Sequence, residues 1–198
     1  MMAHDPAVRA VVAGRLHRGL EFGAEIGATH MVVHSPFDFF GHPLVAHTKV
    51  TGLDEQLGLV HDTLGEVVAY AASVGCTLVF ENIRDLNPAP LLALVRSFDS
   101  EFVRVSIDVG HAALMQPKGG PSPDHWIREA GELLGHLHLQ DNDGLLDRHW
   151  APGQGDINWR AVFRALREVG GSPRLILEVK PEEIGESASW LAAQGIAR

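Results

Sequence analysis

Only one cysteine, Cys76, occurs among the 198 residues, so no internal disulfide can form and a reducing cytoplasm is the expected compartment. No stretch approaches the ~18 consecutive apolar residues of a membrane span. The first thirty residues carry His4, Asp5, Arg9, Arg15, His17, Arg18, Glu21 and Glu25, which excludes a signal-peptide apolar core. Low-complexity segments, short repeats and linkers are missing too. Runs of Lys or Arg are also absent. The 16 basic side chains are outnumbered by 25 acidic ones, and the resulting net charge of −9 disfavours broad binding to nucleic acid. With 45% hydrophobic and 21% charged residues, the chain reads as one globular domain over residues 1–198. At that length a fold buries roughly 70% of the surface its unfolded chain exposes.

What is plentiful is histidine, with twelve copies. It is the commonest metal ligand and a frequent acid–base group, so its placement matters. Helix-like and strand-like segments alternate along the chain. Asp5-Pro6 opens a helix to about Ile26, and the apolar run Thr29–Val33 stops at His34. Ser35 to Gly52 reads as a long loop, followed by a helix over 54–73. The strand Cys76–Phe80 closes on Glu81. A helix over 89–97 precedes the strand Phe102–Ile107, which closes on Asp108. Another helix runs from Ser122-Pro123 to Leu134, then Leu137–Leu139 forms a strand around His138. The last units are a helix over 158–169, the strand Leu175–Leu177 closing on Glu178, and a helix over 182–193. Near-continuous apolar strands between helices predict parallel strands buried on both faces.

Each of the five predicted strands closes on a residue able to bind a metal: His34, Glu81, Asp108, His138 and Glu178. In a parallel α/β barrel such strand ends converge on one mouth. Helix capping alone would favour Ser, Thr, Asn or Asp over Glu and His. The mixed imidazole and carboxylate set suits Zn, Mn, Fe or Co better than Mg or Ca. His111 follows Asp108 by three residues, with Gly110 expected to turn the chain back toward the mouth. Asp147 and His149 stand in the loop after His138, which Pro152-Gly153-Gln154-Gly155 shapes. Asp141, Asn142 and Asp143 read as a turn. His17, His47, His61 and His125 read as solvated or locally bonded side chains.

The strings VVHSPF, FEN, SIDVGH, HLHLQD, DRHWAPGQGDINW and LILEV, in this order, resemble the xylose-isomerase-like TIM barrel superfamily across about residues 5 to 180. The resemblance implies a metal quartet of Glu81, Asp108, His138 and Glu178, holding a divalent ion such as Mn, Zn, Co or Mg. It implies an isomerase or epimerase of a small sugar, sugar phosphate or polyol, working by proton transfer next to a carbonyl. Glu81 and Glu178 would be the acid–base pair, His34, His111 and His149 would bind substrate, and Phe37 and Trp150 would wall the pocket. His149 occupies the place of a substrate-binding arginine found in some epimerases. The superfamily also contains metal-dependent apurinic-site endonucleases, whose pattern would use His34, His111, Asp147 and His149 for further ions. A non-catalytic barrel remnant is the third reading.

A (β/α)8 barrel has eight strands, and the resemblance sets His34 at the end of the fourth. The expectation is therefore a partial α/β barrel of about five parallel strands, truncated at its front relative to the family. An open sheet leaves unpaired edges, so association into a homo-oligomer is expected.

Overall fold

The computed structural model describes residues 1–37 and 52–195; His47 and most of the predicted loop Ser35–Gly52 lie outside the described residues. The elements run α1 (Pro6–Glu25), β1 (His30–His34), α2 (Leu53–Ser73), β2 (Thr77–Glu81), α3 (Pro88–Ser97), β3 (Val103–Asp108), α4 (Val109–Met115), α5 (Pro123–Ala130), β4 (Leu134–Leu139), α6 (Trp159–Val169), β5 (Arg174–Leu177) and α7 (Ile184–Ala193). The strands form one parallel sheet in the order β1-β2-β3-β4-β5, joined through helices. This is the pattern of a partial (β/α)8 barrel. No described helix is long and apolar enough to cross a membrane.

The chain forms two compact units, Met1–Phe80 with Ala89–Arg104, and Glu81–Pro88 with Val105–Arg198. In the first, α1 begins where the Asp5 carboxylate accepts a hydrogen bond from the Ala7 N–H and Pro6 occupies the first turn. Helix α2 buries Val60, Leu64, Val67, Val68 and Ala71, a spacing that keeps one stripe facing inward. Phe80 stacks on Phe98, ring centroids 6.3 Å apart. Helix α1 leaves Val8, Val11 and Phe22 exposed, and Ile26 just after it is exposed as well.

The second unit carries the residues of interest. Strands β3 and β4 pair Ser106 with His136 and Asp108 with His138, and β4 and β5 pair His138 with Ile176. Side chains alternate along a strand, so Ser106 and Asp108 share one face of β3, as His136 and His138 do on β4. Helix α6 starts at Asn158, whose side chain accepts from the Ala161 N–H. Trp159 and Phe163 of that helix meet Trp190 of α7 in a ring cluster with centroids 5.5–5.9 Å apart.

Three local expectations are corrected. Gly110 is not a hinge, since it lies inside α4, a helix absent from the sequence reading, which begins directly after Asp108. The helix expected to reach Leu134 ends at Ala130, where Gly131 takes φ +51°. Gly135, just past the expected helix end, sits within β4 at a register shift, where the β3 partners step from Leu134 to His136 and leave the glycine unpaired, a bulge position that glycine suits.

The segment after β4 is tied down by Asp141, which is more than a turn residue. It is fully buried. One carboxylate oxygen accepts from the backbone N–H of Asn142 and Ile157, and the other from the Gly153 N–H at 2.8 Å and Trp159 Nε1 at 2.7 Å. Its backbone also exchanges two hydrogen bonds with Trp150. Gly155 has to be glycine, because a Cβ there would collide with the Asn142 carbonyl and the Asp141 carboxylate. Asp141→Ala strands several buried donors at ~1–3 kcal/mol each. It should lower the melting temperature measurably and open residues 142–157 to limited proteolysis; an unchanged melting curve and cleavage pattern would contradict this role.

Candidate metal centre

Four of the predicted residues arrive at one place in the second unit. Glu81 ends β2, Asp108 ends β3, His138 is the penultimate residue of β4, and Glu178 follows β5. His138 Nδ1 lies 2.6 Å from Glu81 Oε2, 2.9 Å from Glu178 Oε2 and 3.9 Å from Asp108 Oδ2. Asp108 and Glu81 are almost wholly buried, while Glu178 is partly open to solvent.

Asn82, which the sequence reading passed over, fixes Asp108. Its amide donates to the Asp108 carbonyl at 3.1 Å and accepts from the Asp108 N–H at 2.9 Å. The only signal in the chain is its place directly after Glu81 in FEN. Asp108 also caps α4, its Oδ1 accepting from the His111 N–H at 2.8 Å. One carboxylate oxygen thus serves the helix and leaves Oδ2 for the cluster.

Three buried atoms are left over. Asp108 Oδ2, His138 Nδ1 and Glu178 Oε2 have no hydrogen-bond partner, although the three residues place ligand atoms within 4.8 Å of one another. The imidazole nitrogen is close to two carboxylates yet aligned as a donor to neither. Buried polar atoms are normally satisfied, and orphans converging from three strands are what ligands to a cation look like without it. Ligands about 2.1 Å from an ion lie about 3–3.4 Å from one another, which the observed separations bracket. One imidazole and up to three carboxylates form a donor set for a divalent transition metal or Zn.

Around this quartet, His111 Nδ1 is 3.0 Å from the Asn82 carbonyl, and Nε2 faces Asp147 Oδ2 at 3.5 Å. Asp147 also accepts from Gln140 Nε2 at 2.7 Å and lies 3.1 Å from His149 Nε2. His149 Nδ1 reaches the Glu178 carbonyl at 2.9 Å, with its own backbone held at φ +52°. Gly110 makes room for this arrangement, because a Cβ there would run into the Gln140 amide. Arg148 is held by Asp143 at 2.9 Å, over the Trp150 ring. His136 and Ser106, neither singled out in the sequence, lie buried beside Glu81. The alternation in HLH was the available signal for His136. Predicted His34 ends β1 in the first unit and Phe37 follows it there. His17 stacks on Tyr70, His61 bonds Ser97, and His125 is exposed near Glu129, as local bonding predicts.

Burial pushes the Asp108 carboxyl up to about 7, against the pull of His111. Burial opposes charge on His138, but Glu178 and Glu81 outweigh it and lift the imidazole to about 10. His138 in turn holds Glu178 down at about 2. His111 is raised to about 9, because Asp147 and Asp108 overcome its burial, and His111 holds Asp147 well below the usual carboxylate range. The free cluster therefore carries a proton on His138 that an ion must displace. Ion affinity should climb about tenfold per pH unit from pH 7 to 9, and more steeply below 7 as Asp108 also protonates. Calorimetry in buffers of different ionisation enthalpy should record at least one proton released per ion at pH 7; no release would contradict the ligand set.

The model of the xylose isomerase-like TIM barrel family matches residues 1–194. An uncharacterized protein of Methanocaldococcus jannaschii is 30% identical over 87% of this chain, which spans 58% of that relative's length. The 3-dehydro-D-guloside 4-epimerase of Escherichia coli K12 is 26% identical over 89% of this chain and 69% of its own. Among solved structures, a Thermus thermophilus protein soaked with zinc chloride is 30% identical, with a TM-score of 0.71 covering 100% of this chain and 74% of that one.

Proposed function

Because the chain belongs to the xylose isomerase-like TIM barrel family, we propose that it is a divalent-metal-dependent isomerase or epimerase of a small sugar or polyol. The observation that carries this reading is the convergence of Glu81, Asp108 and Glu178 on the unaligned nitrogen of His138. The sugar-epimerase relative and the zinc-soaked neighbour support it. Glu81, Asp108, His138 and Glu178 would hold the ion. When bound there, a divalent cation polarises nearby substrate oxygens and lowers the cost of negative charge on them.

The chain's own residues do the proton chemistry. Glu81 and Glu178 come from different strand ends, so each can present a carboxylate to the carbon next to a substrate carbonyl. One removes its proton and the other returns a proton, which inverts or relocates the centre. His111 and His149 stand on the substrate side, where a substrate hydroxyl would have to take the place of Asp147 at their Nε2 atoms, since their Nδ1 atoms are held by the Asn82 and Glu178 carbonyls. Trp150, stiffened by Arg148, stands beside His149 in the same tethered loop and supplies an apolar surface.

An apurinic-site phosphodiesterase reading has the Asp147, His111 and His149 cluster in its favour as a seat for a further ion. That cluster is closed on itself, since Gln140, Asn82 and the Glu178 carbonyl satisfy its atoms. The quartet is not. One ion per chain is therefore expected by elemental analysis, and two or three would favour the phosphodiesterase. The exposed apolar side chains of α1 support association with a second copy.

The test is deuterium exchange. Metal-loaded protein in D2O with 3-dehydro-D-guloside and a panel of ketohexoses should incorporate deuterium at the carbon beside the carbonyl, read by NMR. Glu81→Gln and Glu178→Gln should each slow exchange about 10²–10⁴-fold. Wild-type exchange in either variant would overturn the assignment.

A further inference from the structure

We propose that Ser106 and His136 are positioning residues that orient Glu81 for its work at the cluster. The inference rests on the reading of Glu81 as a metal ligand, and goes beyond the quartet itself. Ser106 Oγ lies 3.2 Å from Glu81 Oε2 and 2.8 Å from His136 Nδ1. The serine hydroxyl donates to Glu81 Oε2, so its oxygen is left to accept from His136. The chain of donors is therefore His136 Nδ1–H to Ser106 Oγ–H to Glu81 Oε2. Both side chains are buried, His136 at 3% and Ser106 at 0% exposure.

The strand register builds this pair. Ser106 stands opposite His136 two residues before Asp108 stands opposite His138, and the period of two sends all four side chains to the same face. The lower pair thus supports the upper one, with Glu81 Oε2 as the link: it takes the serine hydrogen bond and lies 2.6 Å from His138 Nδ1. A carboxylate with one oxygen pinned loses rotational freedom and presents a fixed edge to an ion. An apolar pair in their place would leave Glu81 Oε2, itself buried, without its serine donor, so the pair acts through Glu81.

The test uses Co(II), whose visible absorption reports its ligands. Wild-type protein should bind one Co(II) per chain. Ser106→Ala and His136→Leu should each weaken binding about 10–100-fold and change the band shape. The double variant should lose no more than the worse single one, because the two act in series. His136→Asn keeps an N–H donor at the matching place and should recover to within about threefold of wild type. Full Co(II) affinity and an unchanged band in Ser106→Ala and the double variant would overturn the inference. If His136→Leu fails to fold, the contrast between Ser106→Ala and His136→Asn decides. If the variants lose Co(II) as stated while the wild type exchanges no proton on any ketose, the positioning role stands and the epimerase reading falls.

Discussion

Negative charge gathered out of water around one imidazole is the constraint that the rest of the second unit serves. Desolvating even one carboxylate costs several kcal/mol unless an opposite charge or strong donors offset it. Asp108 and Glu81 are almost fully buried, and Glu178 lies against the same ring nitrogen. A proton on His138 offsets part of that cost in the free protein, and a divalent cation would offset more. The proposed metal site would therefore exist in two charge states, one with a proton on His138 and one with the cation in its place.

Holding the groups there takes structure that does no chemistry. Asn82 clamps the backbone of Asp108, and α4 draws on one of its oxygens, so the other has a fixed direction. Asp141 anchors the following loop with four donors, and that loop carries Asp147 and His149. Gly110 and Gly155 matter as empty space, since each leaves room for a polar group that a methyl would displace. Rigid strands carry the four residues proposed as ligands, and a cross-braced loop carries the surrounding groups. That division of labour suits a site whose ligands need sub-ångström placement while its substrate contacts vary.

One barrel architecture supports many reactions, so membership in the family does not choose among them. The distinction lies in which clusters are chemically open. Around Asp147 the carboxylate and the two imidazoles have partners, whereas around His138 three atoms remain without hydrogen bonds. The open carboxylate and imidazole set is the reason the proposed reading is proton transfer next to a carbonyl, where charge would develop beside these groups.

Glu81, Asp108, His138 and Glu178 were legible in the sequence because buried parallel strands are apolar runs, and a polar residue at or next to the end of each one stands out. The same contrast located the five strands and the helices between them apart from α4. Local signals failed where pairing partners decided. Gly135 became the unpaired residue at the register shift between β3 and β4, and Gly110 served packing against Gln140, distant in the chain. Asn82, Ser106 and His136 are ordinary polar residues in the chain; the register of β3 against β4 sets Ser106 opposite His136, and hydrogen bonds made only on folding bring Ser106 to Glu81 and Asn82 to Asp108. The sequence by itself determined which residues could bind a cation and in what order the strands carry them, because periodicity and composition are local properties. Tertiary structure decided which oxygen of each carboxylate is left to the site and which is spent on the fold, because a hydrogen bond depends on distance and angle between groups that only folding brings together.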